Sequence, residues 1–199
     1  MGWAIATVLG FALSLSIVTI GERPDLGLWQ GVLGGGIVGL TQGLILMRYR
    51  LGSGWWIVAN TVAWGIAGAS SIGAIGWFAP RGLTALPSRL IYGTFDGLKI
   101  GIIAGFSQWL ALKQTASKFS ASWIAWNTLA WILGLAFGWS IGGILRQITN
   151  LFISEVVGLI VTWTIVGLIG GIALGFSLRN ACRQPPDSPL TENEMNQLF

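Results

Sequence analysis

The chain has 199 residues, 53% hydrophobic and only 9% charged, with a net charge of +4 and no histidine. Soluble domains carry roughly 25% charged residues, so this composition excludes a water-soluble globule and implies that lipid forms part of the solvent. One cysteine and no histidine exclude the usual His/Cys transition-metal sites. The lack of a long basic run argues against nucleic acid as a partner.

A helix crosses about 30 Å of hydrocarbon in about 20 residues. Apolar segments near that length occupy residues 3–20, 27–47, 55–77, 97–113, 122–145 and 156–178. They predict an all-α integral membrane domain over residues 1–180 with six transmembrane helices. The first segment has neither a basic start nor a small-x-small cleavage site, and reads as a retained helix rather than a signal peptide. Residues 78–95 hold Pro80, Pro87, Arg81 and Arg89, which predict a non-cytoplasmic loop resting on the membrane surface. Residues 181–199, rich in Pro and polar side chains, have the composition of a disordered tail. Cys182, just past the last apolar segment, has no partner for an internal disulfide.

Short loops on one face collect Arg48, Arg50, Lys113, Lys118, Arg179 and Arg183, whereas charges on the other face nearly balance. The excess of Lys and Arg makes the first face cytoplasmic, with both termini inside.

A duplicated unit organises the middle of the chain. Gly31, Gly35, Gly39 and Gln42 return as Gly97, Gly101, Gly105 and Gln108, each 66 residues on (97 − 31 = 66). Trp56, Asn60 and Trp64 return as Trp123, Asn127 and Trp131, 67 residues on (127 − 60 = 67). Self-similarity at a fixed period marks a copied supersecondary unit. With the glycine helix labelled a and the Trp/Asn helix b, the chain reads b-a-b-a-b-a. Trp3, Thr7 and Phe11 make a degenerate first b. Gly167, Gly171 and Gly175 make a last a, 132 residues after Gly35, Gly39 and Gly43 (167 − 35 = 132). The last helix would then pair with the first through space, giving a pseudo-threefold bundle of hairpin repeats.

Glycine at every fourth position lies on one helix face and lets backbones approach closely, which is what holds helices together in lipid. Gly31, Gly35 and Gly39, then Gly97, Gly101 and Gly105, then Gly167, Gly171 and Gly175 are therefore packing ladders, with Gly134, Gly138 and Gly142 a further one. The sequence leaves open whether each faces its own subunit or a partner. Gln42 and Asn60 both sit about 9 Å inside the cytoplasmic end, and Gln108 and Asn127, each five residues in, match each other in depth. An unpaired amide in hydrocarbon is costly, so Gln42–Asn60 and Gln108–Asn127 are expected as hydrogen-bonded or water-bridged clamps. Trp64 and Trp131 fall about 13 Å deep and, with those amides, make a candidate polar and aromatic cluster. Trp126 and Trp163 also fall well inside. Trp3, Trp55, Trp56 and Trp123 read as anchors at one interface and Trp29, Trp77 and Trp139 at the other.

No Asp or Glu interrupts the middle of an apolar segment, so a buried carboxylate relay is missing. No nucleophile elbow, phosphate loop or zincin motif occurs. Asp96 and Lys99, one turn apart, read as an interfacial ion pair.

Gly105-Phe-Ser-Gln-Trp-Leu-Ala-Leu-Lys113, followed by Trp123-Ile-x-x-Asn-Thr-x-Ala-Trp131, resembles a set of small Gly/Trp-rich multi-pass membrane proteins of bacteria, frequent in cyanobacteria. The first copy departs from that pattern, with Gly43 where the second has Trp109. The resemblance covers about residues 31–145 and implies a bacterial inner or thylakoid membrane, with no assigned activity. Together these features lead to the expectation of a non-enzymatic accessory or scaffold subunit among membrane protein partners. A small-solute carrier or substrate-binding membrane subunit is the alternative, and a pigment- or lipid-binding protein using the deep indoles the third. No metal is expected, and pigment or lipid is the one bound group the sequence leaves open.

Overall fold

The computed structural model describes residues 1–49, 51–115 and 121–183. Arg50, Lys118 and the tail from residue 184 lie outside the described residues. The described residues fold into six α-helices: α1 (Gly2–Ser14), α2 (Leu28–Arg48), α3 (Ser53–Ala69), α4 (Leu86–Thr115), α5 (Ser122–Thr149) and α6 (Ile153–Arg183). No β-strand forms among the described residues; a single bridge joins Gly21 to Phe78. Three helices, α2, α5 and α6, are long and apolar enough to cross a membrane.

Each helix packs against the next in sequence, and α6 returns to pack against α1, so the six close a ring. Outward faces are apolar on every helix: Leu9, Leu40, Val62, Ile102, Phe137 and Ile172 are all exposed. Apolar surface on this scale marks contact with something other than water.

Helices α5 and α6 run past their expected ends, to Thr149 and Arg183, and three boundaries differ more, each for a local reason. The first helix stops at Ser14 instead of residue 20. Ser14 and Ser16 donate their hydroxyls to the carbonyls of Phe11 and Leu13, at 2.6 and 2.7 Å, a local alternative to another helical turn. The third stops at Ala69 rather than residue 77, where the Ser70 hydroxyl caps the Ala67 carbonyl at 2.7 Å. Gly73 then takes φ +71, a conformation open to glycine, and turns the chain inward. Ala74, Ile75, Gly76 and Trp77 are all buried. Backbone bonds from Ala74 to Leu26 (2.9 Å) and from Ala79 to Gly21 (3.0 Å) hold this segment as a plug in the end of the bundle away from Met1.

The fourth helix begins at Leu86, so residues 86–95 are helix and not surface loop. Pro87 falls in its first turn, where a missing N–H leaves no bond unmade. Arg89, which the sequence places in a loop, is buried in that helix at 3% exposure because Glu155 of α6 neutralises it at 2.7 Å.

Candidate functional site

The conspicuous construction lies on the axis of the ring, where α1, α3 and α5 project side chains in three layers. At the end nearest Met1, Trp3, Trp56 and Trp123 meet edge to face, with ring centroids 5.3, 5.7 and 6.5 Å apart. Aromatic rings favour such T-shaped contacts because the positive edge of one meets the negative face of the next. All three are buried, so they are core and not interface anchors. Trp77 and Trp139 are likewise buried, whereas Trp29, Trp55 and Trp126 are outward-facing. Boundary position and helical depth in the sequence do not report which face of a helix an indole occupies, and Trp126 sits on the outer one.

The middle layer is polar. Asn127 of α5 donates to Gln108 of α4 at 2.6 Å, one of the two amide contacts the spacing anticipates. The Gln108 oxygen also accepts from the Trp123 indole at 3.2 Å, and its amide donates to Asn60 of α3 at 2.9 Å. Asn60 in turn donates to the Trp56 carbonyl at 2.9 Å. The expected Gln42–Asn60 bond is not made. Gln42 instead accepts from the Trp56 indole at 3.1 Å and donates to Thr7 of α1 at 2.9 Å, and Thr7 donates to the Trp3 carbonyl at 2.9 Å. Each glutamine thus reaches backward along the chain to the preceding Trp/Asn helix as well as forward to the next one. Spacing along the chain points only to the helix next in line, so it predicts isolated hairpin clamps and gives no signal for the indole N–H donors or the backward contacts.

The third layer is aromatic again. Trp64 and Trp131 pack at 5.2 Å, Trp163 of α6 contacts both at 5.7 and 5.0 Å, and Phe11 stacks on Trp163 at 5.6 Å. Trp77 from the plug completes the layer against Trp64 at 5.0 Å and donates its N–H to Ser14 at 2.7 Å. Trp163 donates to the Gly76 carbonyl at 3.0 Å. The close approach requires glycine there: a Cβ on Gly76 would stand 2.8 Å from both Trp163 and Trp64.

Between the polar and aromatic layers lies a chamber of about 20 Å³ lined by Gln42, Asn60, Gln108, Asn127 and the indoles of Trp3, Trp64, Trp123, Trp131 and Trp163. It brings together every member of the polar and aromatic cluster expected from sequence.

The glycine ladders position these layers. A Cβ on Gly35 would come within 2.6 Å of Trp64, one on Gly39 within 2.9 Å of Asn60, and Gly31 meets the Trp64 carbonyl. A Cβ on Gly97 would stand 2.6 Å from Ile132, on Gly101 2.5 Å from Thr128, and on Gly105 3.1 Å from Asn127. Gly167 faces Ala4 at 2.9 Å and Gly171 faces Trp3 at 3.3 Å, but Gly175 faces open space. Gly134, Gly138 and Gly142 oppose α6. These ladders therefore pack within the chain, except at Gly175. Around it a cleft of about 470 Å³ opens between α1, α2 and α6, edged by Met1, Arg48 and Tyr49.

At the opposite end the sequence hid a buried ion cluster. Arg89 makes a bidentate pair with Glu155 (2.7 and 2.9 Å) and donates to the carbonyls of Leu83, Trp139 and Pro80. Arg146 adds a third contact to Glu155 at 3.3 Å. Gly143 makes room for the Arg89 side chain, whose Cδ would lie 2.6 Å from a Cβ there. Asp96 pairs with Lys99 at 3.2 Å, as expected, and also with Arg23. Among the described residues no group of three or more His, Cys, Asp or Glu side chains gathers as a metal site would require.

The class these features define is an all-helical membrane protein with a filled aromatic and amide axis. Beyond that class, the chain matches no family model, no curated protein and no solved structure.

Proposed function

We propose that the chain is a six-span bundle of three a-b hairpin repeats that serves as a non-enzymatic accessory or scaffold subunit within a membrane complex. The ring contact between α6 and α1 supports the third hairpin. So do the matched layers, with Trp3, Trp56 and Trp123 in one and Thr7, Asn60 and Asn127 in the next. Outward apolar faces on α1, α3 and α4 support membrane contact for the three helices that length and hydropathy leave out.

The observation that carries the scaffold reading is the filled axis. A carrier needs a polar route or a site large enough for a solute near mid-membrane. Here six buried indoles pack in two clusters, Trp3 with Trp56 and Trp123 and Trp64 with Trp131 and Trp163, and the chamber among them is about 20 Å³, about the size of one water molecule. The same packing leaves no slot for a flat pigment on the axis. Lipid remains a partner of the outer grooves, one of which, about 220 Å³, lies between Trp55, Val62 and Leu110.

The positive bias of Arg48, Lys113 and Arg179 supports cytoplasmic termini. The resemblance to cyanobacterial-type membrane proteins supports a bacterial inner or thylakoid membrane. Affinity purification from native membranes in mild detergent tests the scaffold reading: stoichiometric companion subunits are expected, and a monodisperse monomer with no companion refutes it. Single-cysteine labelling in a Cys182→Ser background tests the six spans. Positions between α2 and α3 and between α4 and α5 in the sequence should react from one side of the membrane and positions in 15–27, 78–85 and 150–152 from the other.

A further inference from the structure

We infer that the axial chamber binds one water molecule, which stands in for a glutamine side chain that the third repeat lacks. The inference rests on the hairpin-repeat reading above and adds a ligand to it.

Two copies of the polar layer are complete. In each, the glutamine of an a helix accepts from a tryptophan indole of the next b helix and donates to the polar side chain of the preceding one. Gln42 accepts from Trp56 and donates to Thr7; Gln108 accepts from Trp123 and donates to Asn60. The third glutamine would stand at position 174 (108 + 66 = 174), which is Leu174. Its oxygen would accept from the indole N–H of Trp3, and its amide would donate to the side-chain oxygen of Asn127.

Those are the two groups left over. The Asn127 Oδ1 is fully buried and has no hydrogen-bond partner, in a residue only 8% exposed. The Trp3 indole donates to no described residue, although Trp56 and Trp123 both donate to amides. Both residues line the chamber. The chamber exists at this seam for a further reason. Its walls include Val38, Ala104 and Gly170, positions 66 apart (104 − 38 = 66, 170 − 104 = 66), and the third has no side chain. A Cβ on Gly170 would sit 3.0 Å from the Trp3 indole nitrogen, so the same missing group that opens the space lies against the leftover donor.

A ligand here must accept one hydrogen bond, donate another and fit about 20 Å³. A water needs a polar site with two or more partners and roughly 10–15 Å³ of such volume. The Trp3 N–H, the Asn127 oxygen and the amides of Gln42 and Asn60 around them meet that requirement. The walls carry no charged side chain, so a neutral ligand matches them and an ion would lie in the bilayer without a counter-charge.

The test is a high-resolution structure of the full chain in lipid nanodiscs, with Leu174→Gln and Gly170→Ala as variants. In the wild type a single density peak within hydrogen-bond distance of both Trp3 Nε1 and Asn127 Oδ1 is expected. A chamber without a peak overturns the proposal, and so does density that strengthens when rubidium replaces sodium. In Leu174→Gln the introduced amide should take over both bonds and remove the peak, with Tm unchanged or raised. Retention of the peak with a Tm loss above about 3 °C means the water does not replace an amide and overturns the proposal. Gly170→Ala, which narrows the space by one methyl, should lose the peak whether or not Leu174→Gln folds, and persistence of the peak counts against the site. Failure of the repeat reading is visible separately: α6 and α1 would stand apart in the wild-type map, and Trp3 and Asn127 would share no chamber.

Discussion

Gln108 of α4 donates to Asn60 of α3 at 2.9 Å while its oxygen accepts from Asn127 of α5 at 2.6 Å. One side chain therefore ties together three helices, across a seam that no short loop closes. Residues 70–85 separate α3 from α4, including the inward plug. Without the amide, that seam would rest on dispersion contacts alone, since lipid gives helices little hydrophobic reason to associate. Gln108→Leu is expected to lower stability by about 2–4 kcal/mol, because it leaves buried amide groups on two neighbours without this partner. Gln108→Glu, similar in shape, should also destabilise, since its carboxylate cannot donate to Asn60. Thermal unfolding in detergent measures both. A Gln108→Leu protein as stable as wild type would remove the amide layer as a determinant of the fold.

The pairing of Arg89 with Glu155 makes a sharper contrast. Removing one partner of a buried pair leaves the other charge uncompensated, at about 3–5 kcal/mol, whereas replacing both by apolar groups is often close to neutral. Glu155→Leu should therefore unfold or strongly destabilise the chain, and Arg89→Met should do the same. The double variant should recover much of that loss. The recovery will be partial, because Arg89 also satisfies three carbonyls, of Leu83, Trp139 and Pro80, and Arg146 would lose its contact to Glu155. A double-mutant cycle in denaturant measures the coupling. Additive losses would show that the two charges do not depend on one another.

These two sites differ in how far the sequence announces them. The amide layer is legible because Gln and Asn are rare in apolar segments and recur at a fixed period, so depth and type can be read off directly. Its wiring is not legible, because Thr7 gives little polar signal and the Gln42 to Thr7 bond reaches back to the preceding helix, α1, instead of forward to α3. The Arg89–Glu155 pair is illegible for another reason. The two residues lie 66 apart in separate segments, and a charge near a proline reads as loop until its partner is known. The same limit applies to α1 and α3. Their apolar runs continue beyond the helix ends, and composition alone does not show that Ser14 and Ser70 turn the chain, or that residues 74–77 plug the bundle instead of extending α3.

The ladder glycines yield a graded prediction. A side chain at Gly35 or Gly101 meets backbone or Cβ atoms of the facing helix at 2.5–2.8 Å, which no rotamer change relieves. Gly35→Val and Gly101→Val should separate the hairpin arms and cost well over the about 1–3 kcal/mol typical of overpacking. Gly175, on the third ladder, meets nothing within 4 Å. Gly175→Val should stay within about 0.5 kcal/mol of wild type as an isolated chain, the range of ordinary surface changes. Size-exclusion profiles and melting curves of the three variants decide the matter. A Gly175→Val chain that folds but loses a companion in native purification would mark the α1–α2–α6 cleft as the docking face of the proposed complex.

The tryptophans separate by environment rather than by depth, and this can be tested by their individual loss. Trp56 is 1% exposed, touches Trp3 and Trp123 edge to face, and donates to Gln42. Trp56→Ala should cost about 3–5 kcal/mol, the range for truncating a large buried aromatic residue. The lost hydrogen bond to Gln42 adds to that. Trp55, its neighbour in sequence, is 58% exposed on the outer face, and Trp55→Ala should cost under about 1 kcal/mol. Trp126, 40% exposed, should behave like Trp55 despite lying one residue from Asn127. Fluorescence supplies an independent readout. Brominated acyl chains quench indoles they can touch, so quenching should reach Trp55 and Trp126 but spare the axial set, and Trp55→Ala should remove a quenchable fraction that Trp56→Phe leaves in place. Equal quenching of the axial indoles would mean that the ring of helices is open to lipid, and the filled axis would no longer argue against a carrier.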